Sequence, residues 1–280
     1  MRCAWQTFLN LLPVWMREQV DKLGRESLQE LRLRLFAQPE LVLMDNSVYL
    51  QGTVKAEDLR FCVNMASKYS PWSANTVDRG YITAAGGHRL GLCGTVVADN
   101  GSMMGIRNLT SLCLRVARDF PGIAQKAGSF QGSILIIGKP GSGKTTLLRD
   151  LIRQKSEVGT GCIAVVDERE EIFPQSQNQL CFPTGRRTDV LSGCSKAQGI
   201  ECVLRSMGPD VIAVDEITAE EDCRALLHAG WCGVKLLATA HAGSRQDLYN
   251  RPVYRPILDS KLFDTLLIMK PDKTWQAERV

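Results

Sequence analysis

Gly138-Lys139-Pro140-Gly141-Ser142-Gly143-Lys144-Thr145 is the stretch on which the reading of this 280-residue chain turns. It fills the pattern G-x-x-x-x-G-K-[ST] with Gly138, Gly143, Lys144 and Thr145. Glycines let successive backbone N–H groups curl round a phosphate, and a helix starting there aims its positive dipole end at the same anion. The pattern therefore places ATP on the loop and on Thr146 behind it, with Lys144 reaching the β- and γ-phosphates as a point charge and the Thr145 hydroxyl on Mg²⁺. Four such positions recur by accident in about one per cent of chains this long, so the flanks decide. Ile134-Leu135-Ile136-Ile137 supplies a strand in front, and Thr146-Leu147-Leu148-Arg149-Asp150-Leu151 a helix behind.

The same grammar continues on both sides of the loop. Residues 134–137, 163–166, 211–214 and 236–238 are short apolar runs of the kind buried on both faces of a parallel sheet. Helical segments are expected between them at 144–154, 195–207 and 220–229. Strands alternating with helices predict βαβ units and an α/β core.

A phosphate loop needs an acid on a neighbouring strand for its metal. Val211-Ile212-Ala213-Val214-Asp215-Glu216 ends in two carboxylates, at the strand end where ligands of open parallel sheets bind. Asp215 is expected to hold Mg²⁺ with Thr145, and Glu216 to polarise the attacking water. Ala164-Val165-Val166-Asp167-Glu168 repeats the arrangement, so Glu168 competes with Glu216 for the role of general base, while Glu170 and Glu171 also suit a solvated turn. Leu236-Leu237-Ala238-Thr239-Ala240-His241 ends a third strand in residues able to hydrogen-bond a γ-phosphate, which makes His241 a sensor candidate. The catalytic set is thus Lys144, Glu168, Glu216 and His241. Arg186, Arg187 and Arg205 are equally suited to phosphate contact and to structural ion pairs.

Upstream of about Asp119 the pattern is mixed. Residues 31–35 alternate as a strand with one wet face, and Leu41-Val42-Leu43-Met44 and Val48-Tyr49-Leu50 flank a turn at Asp45-Asn46-Ser47. A helical stripe of Leu59, Cys62, Val63 and Ala66 runs through 56–69, and a second hairpin turns at Gly86-Gly87. With Phe120-Pro121-Gly122 as punctuation, the expected division is an α+β domain over 1–120 and an ATP-binding domain over 121–280.

Bulk properties exclude several classes. A net charge of +4 selects no partner, and no Lys/Arg run with interleaved aromatics marks a nucleic-acid surface. Ten scattered cysteines show neither disulfide nor metal-ligand spacing and fit a reducing compartment. No apolar run of about 18 residues occurs, and Gln6, Asn10 and Pro13 interrupt the N-terminal amphipathic stretch, so neither a membrane span nor a secretory leader is expected.

Taken together, Leu204-Arg205 through Pro209-Asp210-Val211-Ile212, Asp215-Glu216-Ile217, the acidic run from Asp167 to Glu171 and Thr239-Ala240-His241 resemble the Walker B region, acidic box and histidine box of the secretion-ATPase superfamily. Gly185-Arg186-Arg187-Thr188-Asp189-Val190, Gly86-Gly87-His88-Arg89-Leu90-Gly91 and Leu114-Arg115-Val116-Ala117-Arg118 resemble a sporulation branch of it, with Glu170 and Thr218 departing where Ser and Gly are expected. The resemblance implies a RecA-like P-loop NTPase core and a homo-oligomer, a hexameric ring with N-terminal subunit contacts. It also implies a cytoplasmic motor peripheral to the mother-cell membrane, docked on membrane proteins of a channel to the forespore. Arg89, Arg107, Arg115 and Arg118 become candidates to reach a neighbour's nucleotide. A nucleic-acid-translocating ring is the alternative, and a scaffold that binds ATP without turnover a third.

Overall fold

In the computed structural model, residues 1–44, 46–68, 80–99, 102–176 and 179–280 are described. The chain divides into two compact units, Met1–Asp119 with Pro174–Cys181, and Phe120–Phe173 with Phe182–Val280.

In the first unit the alternating segment forms β1 (Glu30–Arg34), with Leu31 and Leu33 fully buried and Arg32 and Arg34 exposed. It follows helices α1 (Trp5–Asn10) and α2 (Val14–Leu23) and precedes the antiparallel pair β2 (Glu40–Val42) and β3 (Ser47–Tyr49). Asn46 accepts the Leu43 N–H across the turn, whose Asp45 lies outside the described residues. Helix α3 (Ala56–Ser67) buries Leu59, Cys62 and Ala66; Tyr69, expected in it, is also outside them. The Gly86-Gly87 turn, at φ 79° and 80°, joins β4 (Tyr81–Thr83) to β5 (Arg89–Asp99). Strand β6 (Ser102–Arg115), which periodicity did not disclose, pairs with both β5 and β1. The antiparallel order is β3-β2-β1-β6-β5-β4, and Phe8, Leu12, Met16, Leu28 and Leu114 fill the core. A short hairpin, β9 (Gln175–Ser176) with β10 (Gln179–Leu180), completes this unit, its chain entering from and returning to the second.

The second unit is the βαβ region. Its elements run β7 (Ile134–Gly138), α4 (Lys144–Val158), β8 (Ile163–Asp167), β11 (Thr188–Ser192), α5 (Lys196–Ser206), β12 (Val211–Ile217), α6 (Glu220–Trp231) and β13 (Lys235–His241). After them come α7 (Arg245–Asn250), α8 (Arg255–Asp259), β14 (Thr265–Met269) and β15 (Trp275–Arg279). The sheet order is β11-β8-β12-β13-β7-β14-β15, parallel except for β15. All five residues of β7, β8 and β14 are buried, as two-sided coverage requires. Leu135, Ile137, Val166, Val214 and Ala238 cluster with Ile200, Val203 and Leu226 of α5 and α6, while the alternate residues lie outside that cluster and α4 packs on the same sheet. The order β8-β12-β13-β7 sets four strand ends side by side, and the phosphate loop, Glu168, Asp215, Glu216 and His241 sit at or just beyond them.

Candidate functional site

The loop after β7 is shaped by its glycines. A Cβ at Gly138 would stand 2.5 Å from Ser142 Oγ and 2.8 Å from Met269 Cβ, so only glycine lets the loop close against β14. Gly143, at φ 97°, turns the chain into α4. Lys144, only 6% exposed, folds back: its Nζ donates to Gly138 O at 2.9 Å, Lys139 O at 3.0 Å and His241 Nδ1 at 3.0 Å. Burial holds its pKa below the usual lysine value, while Asp215 and Glu216 pull it back up. Ser142 Oγ is buried without a hydrogen-bond partner among the described residues, an orphan of the kind a ligand oxygen satisfies, and the space beside Gly141 is open.

Strand β13 lies between β7 and β12, which explains why His241 stands between the loop and the acids. Its backbone pairs with Gly138, and its Nε2 lies 2.5 Å from Glu216 Oε1. Since Lys144 donates to Nδ1, the neutral imidazole carries its proton on Nε2 and donates it to Glu216. Thr239, two residues earlier on the same strand and fully buried, donates to Asp215 Oδ1 at 2.5 Å and accepts the Glu216 N–H at 2.8 Å. Asp215 Oδ2 takes the Thr145 hydroxyl at 2.6 Å. Burial raises the Asp215 carboxyl above the usual range against those two hydroxyl donors. Glu216 adopts φ 56°, where the β12–β13 register shifts between Val214 and Ile217. That bulge re-aims its carboxylate, which also takes Arg169 Nη1 at 3.2 Å.

The second acidic strand end has a divided role. Asp167 is 2% exposed and accepts the N–H groups of Glu171, Ile172 and Phe173 at 2.9, 3.0 and 2.8 Å. Burial raises its carboxyl to about 6 although these bonds oppose the rise. Asp167 therefore shapes the turn, and Glu168 faces the cleft that Asp215 and Glu216 also line. Glu168 is hydrogen-bonded to Lys196, a residue periodicity gave no reason to select.

Thr145, Asp215, Glu216, His241 and Lys144 thus form one hydrogen-bonded set, with Thr239 as its brace. Thr239 was visible only as part of the Thr-Ala-His strand end. Within the chain, Arg186 pairs with Glu157 at 3.3 Å, Arg205 with Glu201 at 3.4 Å, and Arg187 donates to Ser156 O at 3.2 Å. In the first unit Arg115 pairs with Glu30, Arg118 donates to Arg25 O, and Arg89 covers the Tyr81 ring.

The residues fit the groups the loop implies. Lys144, the orphaned Ser142 hydroxyl and the start of α4 suit an anion. Thr145 and Asp215 offer hard oxygen donors of the kind that hold Mg²⁺ beside a nucleotide. Strand order, loop and acids together define a RecA-like P-loop fold. The fold superposes on the Legionella pneumophila ATPase DotB with a TM-score of 0.61 at 16% identity, covering 96% of this chain and 80% of that one. It superposes on the pilus retraction motor PilT with bound ADP with a TM-score of 0.58 at 15% identity, covering 90% and 76%.

The chain belongs to the family "Sporulation stage III, protein AA", whose model matches residues 6–277. It is 38% identical over 273 residues to Stage III sporulation protein AA of Bacillus subtilis (strain 168), spanning 92% of this chain and 88% of that protein. Among the described residues no disulfide joins any of the ten cysteines, and no helix is long and apolar enough to cross a membrane.

Proposed function

We propose that this chain is a Mg²⁺-dependent ATPase and the subunit of a hexameric motor that energises a sporulation channel between mother cell and forespore. The observation that carries this reading is the continuous line from Lys144 through His241 to Glu216, with Thr145 and Asp215 beside it. Bound ATP and Mg²⁺ supply the electrophilic γ-phosphorus and the charge that screens it. Lys144 swings from the carbonyls of Gly138 and Lys139 and from His241 Nδ1 to phosphate oxygens, as the open loop permits. That exchange releases His241 Nδ1, so the imidazole senses the phosphate and passes the change to Glu216. Glu216 accepts the proton of the attacking water, Thr145 and Asp215 hold the cation, and Thr239 keeps Asp215 and Glu216 in register.

The family and the motor-like fold support placement on the cytoplasmic face of the mother-cell membrane, with membrane proteins of the channel as partners. The first unit, 1–119 with 174–181, then provides contacts to neighbouring subunits and to those partners. The test is Glu216→Gln. The variant should bind ATP within threefold of wild type and lose at least 100-fold in turnover, and it should form hexamers in sedimentation with ATP. Turnover within threefold of wild type would remove Glu216 as the base, and a chain that stays monomeric with ATP would remove the ring.

A further inference from the structure

Lys196 is the first residue of α5, and its side chain is 5% exposed. An ammonium there is doubly unfavourable. Burial costs it hydration, and the first turn of a helix presents the positive end of the dipole. Stability alone does not account for a lysine in this place, since apolar residues of similar volume in place of the whole ion pair would fill the site at no net cost. Two carboxylates surround it: Glu168, hydrogen-bonded to Nζ, and Asp222, whose Oδ2 is 3.8 Å away.

These two acids belong to different strand ends. Glu168 follows β8. Asp222 lies in the first turn of α6 and accepts the Thr218 N–H at 3.0 Å and the Ala219 N–H at 3.2 Å, so it fixes the segment that leaves β12 two residues after Glu216. Lys196 joins the acidic turn after β8 to the loop after β12. With Arg169 it lies in a cleft that Asp167, Glu168, Glu171, Asp215 and Glu216 also line.

We propose that Lys196 is a positioning residue of this site: it holds the Glu168 carboxylate against the 218–222 segment and so fixes the spacing between the acidic ends of β8 and β12. The inference rests on the ATPase reading above and assigns Glu168 its part in it. Glu168 acts from the position Lys196 gives it, opposite Glu216, and contributes to turnover rather than to nucleotide binding.

The test is a double-mutant cycle on the full chain with Lys196→Met, Glu168→Gln and the pair, scored by kcat and KM for MgATP, ADP affinity, and melting of the ligand-free chain. Lys196→Met should lower kcat at least tenfold, with KM and ADP affinity within threefold of wild type. The pair should be no slower than the slower single variant, because Glu168 has nothing left to lose once its clamp is gone. In the ligand-free melt, Lys196→Met should fall furthest and the pair should recover part of the loss, since the unpaired Glu168 charge is then removed. A Lys196→Met kcat within twofold of wild type overturns the proposal. So do rate losses that multiply in the pair, or a KM that rises as kcat falls. Should Lys196→Met not fold, the pair and Glu168→Gln remain: a folded pair with at least tenfold more activity than Glu168→Gln, or with wild-type activity, is equally fatal. A wild-type chain that binds ADP and never hydrolyses ATP defeats the ATPase reading itself, a result distinct from all of these.

Discussion

Replacing Thr239 by valine removes one oxygen and leaves the side-chain shape nearly unchanged, which isolates the brace between Asp215 and Glu216. The hydroxyl makes two bonds from a fully buried position, donating to Asp215 Oδ1 and accepting the Glu216 N–H. Losing a bond to a carboxylate costs about 1.5–3 kcal/mol, and stranding a buried N–H costs about 1–3 kcal/mol. The sum is about 2.5–6 kcal/mol, and at about 2–4 °C per kcal/mol for a domain of this size it corresponds to a Tm lower by on the order of 10 °C. Asp215 would also lose one of the two donors that oppose the effect of burial on its carboxyl, so its pKa rises further and protons compete better with Mg²⁺. Thr239→Ser keeps the hydroxyl and serves as the control, with an expected loss of about 1 kcal/mol for the missing methyl. Thermal melts of the ligand-free chain and the Mg²⁺ dependence of ADP binding read both effects. A valine variant within 1 kcal/mol of wild type, or a serine variant as unstable as the valine one, would refute this account of the brace.

Two further perturbations follow from the same geometry. The Asp167 carboxyl, raised from 3.8 to about 6, binds its proton more tightly in the folded chain than in the unfolded one. Its contribution to stability is therefore fully present below about pH 4 and is lost as pH rises through 6, about 3 kcal/mol in all. Urea titrations should show wild type gaining that amount on Asp167→Asn between pH 7 and pH 4, and a constant difference would contradict the burial argument. Gly138→Ala places a methyl 2.5 Å from Ser142 Oγ and 2.8 Å from Met269 Cβ. Loop and β14 must part, and ADP affinity should fall at least tenfold by calorimetry; unchanged affinity would mean that the loop has room the structure denies it.

What could be read from residues alone follows physical lines. Strands β7, β8, β12 and β13 are apolar runs buried on both faces, and each leads into chemistry at its C-terminal end, so both their identity and their importance were legible. Strand β14 is as apolar and as buried, but it runs straight into Lys270-Pro271 rather than into an acid, a histidine or a glycine loop, and nothing drew attention to its role as the wall behind Gly138. Strand β11 runs half-exposed along β8 at the sheet edge, where neither period 2 nor a continuous apolar run survives. In the first unit β6 escaped because the β5–β6 register shifts twice, which breaks the alternation that a strand of this length otherwise displays. For the candidate site, spacing selected Lys144, Thr145, Asp215, Glu216, Glu168 and His241, which the fold brings to neighbouring strand ends. It did not locate Lys196, because a lysine opening a helix looks like any solvated one until tertiary packing closes over it. Nor did it separate Asp167 from Glu168: only the three N–H groups converging on Asp167 assign one acid to the turn and leave the other facing the cleft.

The central claim is that Lys144 and the strand-end acids form a hydrolytic site, and phosphate release from MgATP by wild type and Lys144→Ala tests it most directly. Wild type should show Mg²⁺-dependent turnover that falls at least 100-fold in a Lys144→Ala variant with wild-type folding. Equal rates in the two proteins, or wild-type turnover indifferent to chelation of Mg²⁺, would contradict it.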